Sequence, residues 1–222
     1  MKKNLFGYNI DDEWEHENGF YITSHVTRIS KMVAHYELYK SIINLPGQVV
    51  ECGVFKGASL IRFCTFREIL ESQYSRKITG FDAFGKFPTQ KCDSDDEFIK
   101  KFEKSSGHGI SVEQLNDVLL YKEFKNYELV PGNIEDTVPH YVENNPEMKI
   151  SLLHIDVDVY NPSKVVLDCL FDKVVVGGLI VLDDYGTVYG ETRAVDEFLL
   201  DKDYVIEKMP ISHIPSYIRK KM

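Results

Sequence analysis

The chain has 222 residues, 43% of them hydrophobic and 27% charged, with a formal net charge of −9. That length suits one α/β domain with some decoration, and the acidic balance argues against nucleic acid, whose phosphates ask for a basic face. The longest apolar run, Val174 to Leu182, contains Gly177 and Gly178 and is too short to cross a bilayer, so no membrane partner is expected.

In chain order, residues 1–20 are acidic and aromatic without a clear period, and read as an arm. No apolar segment follows Lys2 and Lys3, so no secretory signal is expected. From Ser24 to Asn44, Val26, Ile29, Val33, Tyr36, Leu38, Tyr39 and Ile42 recur at largely helical spacing, and Asn44-Leu45-Pro46-Gly47 stops the helix. This helix suits a lid or the contact of a homodimer or higher homo-oligomer.

QVVECGV at 48–54 is a first strand, Lys56-Gly57-Ala58-Ser59 a tight turn, and a helical pattern then runs to about Ser72. KITGFDAFG at 77–85 is a second strand, ending in Asp82. The segment 86–125 is long, polar and helical in places, with capping-box patterns at Ser94–Glu97 and Ser111–Gln114. NYELVPGN at 126–133 makes a third strand, MKISLLHIDVD at 148–158 a fourth and VVVGGLIVLDD at 174–184 a fifth. Helices are expected over 162–172 and Thr192–Leu200, with strands near 203–208 and 214–219.

Strands alternating with helices, and strand runs that are almost wholly apolar, indicate a mostly parallel sheet covered on both faces: a Rossmann-like α/β fold. Cys52, Cys64, Cys92 and Cys169 form no C-x-x-C pair, which points to reduced thiols and a cytoplasmic setting.

Ligands of such sheets bind outside the carboxyl ends of the strands. The residues there are Glu51 and Gly53, Asp82 and Phe84, Gly132 and Asn133, Asp156 and Asp158, and Asp183 and Asp184. The first turn lacks both G-x-G-x-x-G and G-K-[ST], so a pyrophosphate has no cradle. Gly53 and Gly57 still let backbone approach a small ligand, although a turn built only for chain reversal explains them too. Asp82 is placed to accept hydrogen bonds from ribose hydroxyls, with a loop acid as the alternative. Phe84 is placed to lie against an adenine. The four acids Asp156, Asp158, Asp183 and Asp184 offer oxygen alone, the ligand of hard cations such as Mg²⁺; helix capping accounts for one or two of them. His154 reads as a hydrogen-bonded core histidine.

These blocks resemble the macrocin O-methyltransferase family, S-adenosylmethionine- and metal-dependent methyltransferases of sugar hydroxyls with a class I methyltransferase fold. The resemblance runs from about 48 to 201, through VVECGVFKGAS, GFDAFGKFP, LVPGNIEDTVP, LLHIDVDVYNPSKVVLDCL, GGLIVLDDYG and RAVDEFL. It implies an arm and helix over 1–45 and a methyltransferase domain over 46–222. It also implies that Glu51, Gly53 and Ser59 meet the methionine end of the cofactor, that Asp82 binds the ribose, and that Phe84, Gly132, Asn133 and Ile134 flank the adenine. Asp156, Asp183 and Asp184 would hold Mg²⁺, with Asp156 the general base and Asp158 a helper. The chain departs from the family at Gly57-Ala58, where two glycines are common. The arm and 86–125 match poorly, and would shape the pocket of a small sugar-containing acceptor. Two other readings are a Rossmann-type oxidoreductase, disfavoured by the missing glycine motif, and a non-catalytic carbohydrate- or metal-binding module that retains the fold.

Overall fold

The computed structural model describes residues 4–88 and 93–222, with Asp93 and Ser94 by their backbone alone. A hairpin of β1 (Asn4–Leu5) and β2 (Tyr8–Asn9) leads into α1 (Glu13–Thr23) and α2 (Val26–Lys40). Then come β3 (Gln48–Cys52), α3 (Ala58–Leu70), β4 (Ile78–Asp82), α4 (Asp93–Ser106), α5 (Val112–Tyr121) and β5 (Tyr127–Pro131). The chain continues through α6 (Ile134–Asn144), β6 (Ile150–Ile155), α7 (Tyr160–Leu170), β7 (Val174–Leu182), α8 (Tyr189–Leu199), β8 (Glu207–Lys208) and β9 (Ser216–Arg219).

Seven strands form one sheet in the order β5-β4-β3-β6-β7-β9-β8. β5 through β7 run parallel, while β9 is antiparallel to both β7 and β8. The apolar strand runs divide their residues between the two faces, as the two-residue period of a strand requires. Leu153, Ile155, Ile180 and Leu182 pack on Val138 of α6, Val166 and Leu170 of α7 and Val195 of α8. Their neighbours Leu152, Leu179 and Val181 pack on Leu38 and Tyr39 of α2, Leu60 and Phe63 of α3 and Leu115 of α5. Each such fully buried side chain contributes about 1.5–3 kcal/mol. The order reverses at β3, whose neighbours are β4 on one side and β6 on the other. A ligand cleft belongs at that point, above the carboxyl ends.

The Ser111 capping box forms as its spacing predicts, with both reciprocal hydrogen bonds to Gln114. Several local expectations change. Residues 4–23, aperiodic in sequence, form the hairpin and α1; α1 buries no residue, so it has no apolar face from which a period could be read. The helix α6 has no counterpart in the sequence reading, although Asn133 caps it by accepting from Glu135 N and Glu135 and Asp136 fill its first turn. Pro139 inside it masks the helical signal. Helix α4 begins at Asp93, before Ser94, whose side chain lies outside the described residues, as does Cys92. Cys52, Cys64 and Cys169 are free thiols. Among the described residues, no helix is long and apolar enough to cross a membrane.

Candidate active site

β6 and β7 end with their apolar runs, at Ile155 and Leu182, short of the expected 158 and 184, so the acids lie just past the strand tips. Their backbones keep the sheet register: Asp156 N donates to Cys52 O and Asp183 N to Ile155 O, both at 2.9 Å. The tips of β3 and β6 touch. Gly53 has φ +90°, and a Cβ there would lie 1.7 Å from the Asp156 carbonyl oxygen, so only glycine fits.

Above these tips opens a cavity of about 380 Å³. Gly53, Ser59 and Asp82 line one part, Asn133 and Ile134 another, and Asp156, Asp158, Asp183 and Asp184 a third. Phe102 and Glu103 of α4 line the outer wall. Of the residues singled out in the sequence as ligand contacts, Glu51, Gly57, Phe84 and Gly132 do not line it.

Asp82 carries the first turn. Its Oδ2 accepts from Val54 N at 2.7 Å and Phe55 N at 2.9 Å, and its Oδ1 from Phe84 N at 2.6 Å. A carboxylate has about four lone-pair sites. One therefore remains, on Oδ1.

The four aspartates separate into two environments. Carboxylate oxygens of Asp156, Asp158 and Asp184 lie within 4.8 Å of one another. Burial, then the charge of Asp183, pushes the Asp156 carboxyl well above its ordinary range. Burial, then the charge of Asp184, does the same to Asp158, and Asp184 is also raised. Asp158 adopts φ +63°, a left-handed conformation uncommon outside glycine but tolerated by Asp and Asn. Behind the cluster stands Glu191, fully buried, its Oε1 accepting from Asp184 N at 3.1 Å. Its Oε2 has no partner among the described residues.

Asp183 faces the other way. Burial pushes its carboxyl up, but His154 and Lys31 together hold it well below the ordinary range. Lys31 Nζ of α2 makes a close ion pair with its Oδ2. His154 Nε2 lies 3.3 Å from its Oδ1, and His154 Nδ1 lies 3.0 Å from Glu51 Oε1. With a carboxylate on each side, both ring nitrogens must donate, so His154 is an imidazolium. Burial opposes the charge, yet these partners raise its pKa to about 10. Glu51 is thereby committed to the core beneath the cleft. His35 stacks on Phe63 and stands 3.6 Å from Asp183, too far for a hydrogen bond. Burial keeps it neutral, with a pKa lowered to about 4.

A pH dependence follows from His154. Its folded pKa of about 10 exceeds the unfolded value of 6.5. The stability it contributes is therefore full below pH 6.5 and is lost as pH rises through about 10. Melting temperatures of the metal-free chain are expected to fall steadily over that interval. A flat profile there would contradict the imidazolium.

The donor set fits a hard divalent cation. It is all oxygen, and its crowded carboxyls gain from a positive charge between them. Lys31, paired with Asp183, already lends positive charge from one side: it is felt by Asp183, Asp156 and Asp184. Lys31, His35 and Glu191 escape the sequence reading because each gives only a lone polar residue on a helix; none stands in a motif.

A seven-stranded sheet of this order, with its cleft at the switch point and acids on its floor, is the class I methyltransferase fold. Residues 27–220 match the macrocin-O-methyltransferase (TylF) family, and the chain belongs to it. It is 30% identical over 179 residues to demethyldecarbamoylnovobiocin O-methyltransferase of Streptomyces niveus, covering 76% of this chain and 64% of that protein. It is 26% identical over 152 residues to the 8-demethyl-8-(2,3-dimethoxy-alpha-L-rhamnosyl)-tetracenomycin-C 4'-O-methyltransferase of Streptomyces olivaceus, covering 64% and 54% respectively. The chain thus spans less than two thirds of either relative's length. Among solved structures, the O-methyltransferase NovP superposes with a TM-score of 0.74 at 22% identity, over 87% of this chain and 81% of that one.

Proposed function

We propose that this chain is an S-adenosylmethionine- and Mg²⁺-dependent O-methyltransferase acting on a hydroxyl of a sugar, free, nucleotide-linked or attached to a natural product. One observation carries the reading: the first-turn glycine, the Asp82 carboxylate and four acids of β6 and β7 open into one cavity. The relatives' names support the acceptor class, since one is named for a rhamnosyl-tetracenomycin C and the other for demethyldecarbamoylnovobiocin. The reduced thiols fit a cytoplasmic setting.

In this reading Gly53 and Ser59 meet the methionine end of the cofactor, the free lone pair of Asp82 takes a ribose hydroxyl, and Asn133 and Ile134 flank the adenine. Asp156, Asp183 and Asp184 would hold the cation, which asks Asp183 to turn from Lys31 and His154 toward the other two. The cation supplies Lewis-acid charge that makes an acceptor hydroxyl easier to deprotonate. A carboxylate bound to a dication loses basicity, so the proton goes to Asp158 rather than Asp156. Asp158 faces the same cavity and in this reading is not a ligand of the cation, so it keeps its basicity. The protein otherwise contributes position, holding nucleophile and methyl carbon in line. Helix α4 closes the outer wall over the acceptor.

Calorimetric titration with S-adenosylmethionine, with and without Mg²⁺, tests the assignment. Binding is expected in both conditions, and separate titration of Mg²⁺ should saturate one site. No cofactor binding in either condition would sink the methyltransferase reading, and nicotinamide dinucleotide binding in its place would favour an oxidoreductase.

A further inference from the structure

Two arginines on the cleft wall have no counterpart. Arg28, in the first turn of α2, and Arg62, in the second turn of α3, both line the cavity. Among the described residues no side-chain hydrogen bond or ion pair engages either guanidinium. Arg62 is half-buried. Burial, and then the like charge of Arg28, outweigh the pull of Asp183, Glu51 and Asp156 on it.

Among the described residues the other buried cations each have side-chain partners, although the Nε of Arg67 has none. Arg67 donates to the carbonyls of Arg76 and Asn126, and Arg76 pairs with Glu71 and Ser151. Lys31, one turn along α2 from Arg28, is committed to Asp183. Arg62 is the exception, and it faces the cleft. Arg28 is exposed, so solvent screens part of its charge, yet an anion that reached both guanidinium groups would relieve their like-charge contact, and their planar forks match carboxylate and phosphoryl oxygens.

We propose that Arg28 and Arg62 form an oxyanion site on the cleft wall, which takes a carboxylate or phosphoryl group of a ligand bound there. The identity of that ligand rests on the methyltransferase reading. Ser59 and Arg62 are three residues apart and share a face of α3, which puts the site within reach of the cofactor's methionine end. The charges of Asp156 and Asp183, which the proposed function gives to the acceptor's cation, also reach Arg62. The oxyanion therefore belongs either to the cofactor's α-carboxylate or to an acidic sugar acceptor, a uronate or sugar phosphate.

Calorimetry separates these sources. The full chain and its Arg28→Gln, Arg62→Gln and double variants are titrated with S-adenosylhomocysteine, 5′-methylthioadenosine and uridine diphosphate glucuronate. The methylthioadenosine lacks the amino-acid part and serves as the carboxylate-free control. Arg62→Gln is expected to weaken one oxyanion-bearing probe at least about tenfold and to leave methylthioadenosine within twofold. Loss confined to S-adenosylhomocysteine assigns the site to the cofactor, and loss confined to the nucleotide sugar assigns it to the acceptor. The melting temperature of Arg62→Gln should hold or rise, since a like-charge contact is removed; Arg62→Lys, which keeps charge but not the fork, gives a second reading with an intermediate loss. All probes within twofold in every variant would overturn the site, as would a wild-type chain that binds neither oxyanion-bearing probe. A wild-type chain that binds the nucleotide sugar but neither adenosyl probe sinks the methyltransferase reading instead, and the nucleotide sugar then judges the oxyanion site alone.

Discussion

Asp158→Asn is expected to lower kcat by roughly 10²–10⁴-fold, the usual contribution of a positioned general base. The substitution keeps size and shape, and Asn tolerates the left-handed conformation that Asp158 adopts, so the fold should survive. Affinities for S-adenosylmethionine and Mg²⁺ should stay within a few-fold. Asp156→Asn is expected to abolish turnover as well, but through a different loss: Mg²⁺ affinity falls with it while cofactor affinity holds. The two variants therefore distinguish base from ligand. An Asp158→Asn enzyme with near-normal turnover would return the base to Asp156, where the family resemblance puts it.

The second large effect is on stability. Asp183→Ala removes the shared partner of His154 and Lys31, which leaves two cations without their common carboxylate at the floor of the cleft. Breaking a buried pair in this way costs about 3–5 kcal/mol, and for a chain of this size each kcal/mol lowers Tm by roughly 2–4 °C. Asp184→Ala makes a useful contrast. It deletes one of three crowded carboxyls that burial and like charge have already made costly. Its melting temperature should hold or rise, while Mg²⁺ affinity is lost. Thermal melts of both metal-free variants check the pair of outcomes. Equal destabilisation by the two would mean that the division of the acids into a paired and a crowded set is wrong.

The architecture is largely legible from residue order because burial on both faces writes it into the strands. Runs such as LIVL at 179–182 must be apolar throughout when alternate residues feed opposite cores, and no surface helix looks like that. The strand-tip acids are legible for the same reason, since polar residues that interrupt such runs mark the carboxyl ends. Pairing within the site is less so. Asp183 and Asp184 are adjacent and chemically identical, yet one turns to His154 and Lys31 and the other to Asp158. Nothing local decides this; it depends on α2, some 150 residues away, delivering Lys31 to the tip of β7. Glu51 shows the same limit. Its place at a strand end suggests a ligand contact, but His154 on the neighbouring strand claims it. The arginine pair is invisible for the same cause, because helices α2 and α3 meet only in three dimensions.

The most direct test of the central claim is a crystal of the chain grown with S-adenosylhomocysteine and Mn²⁺, read by anomalous scattering. An anomalous peak bound by Asp156, Asp183 and Asp184, with Lys31 displaced and the nucleoside lying between Asp82 and Ile134, is the predicted result. A nucleoside outside this cavity, or an anomalous map without a peak at these acids, would contradict it.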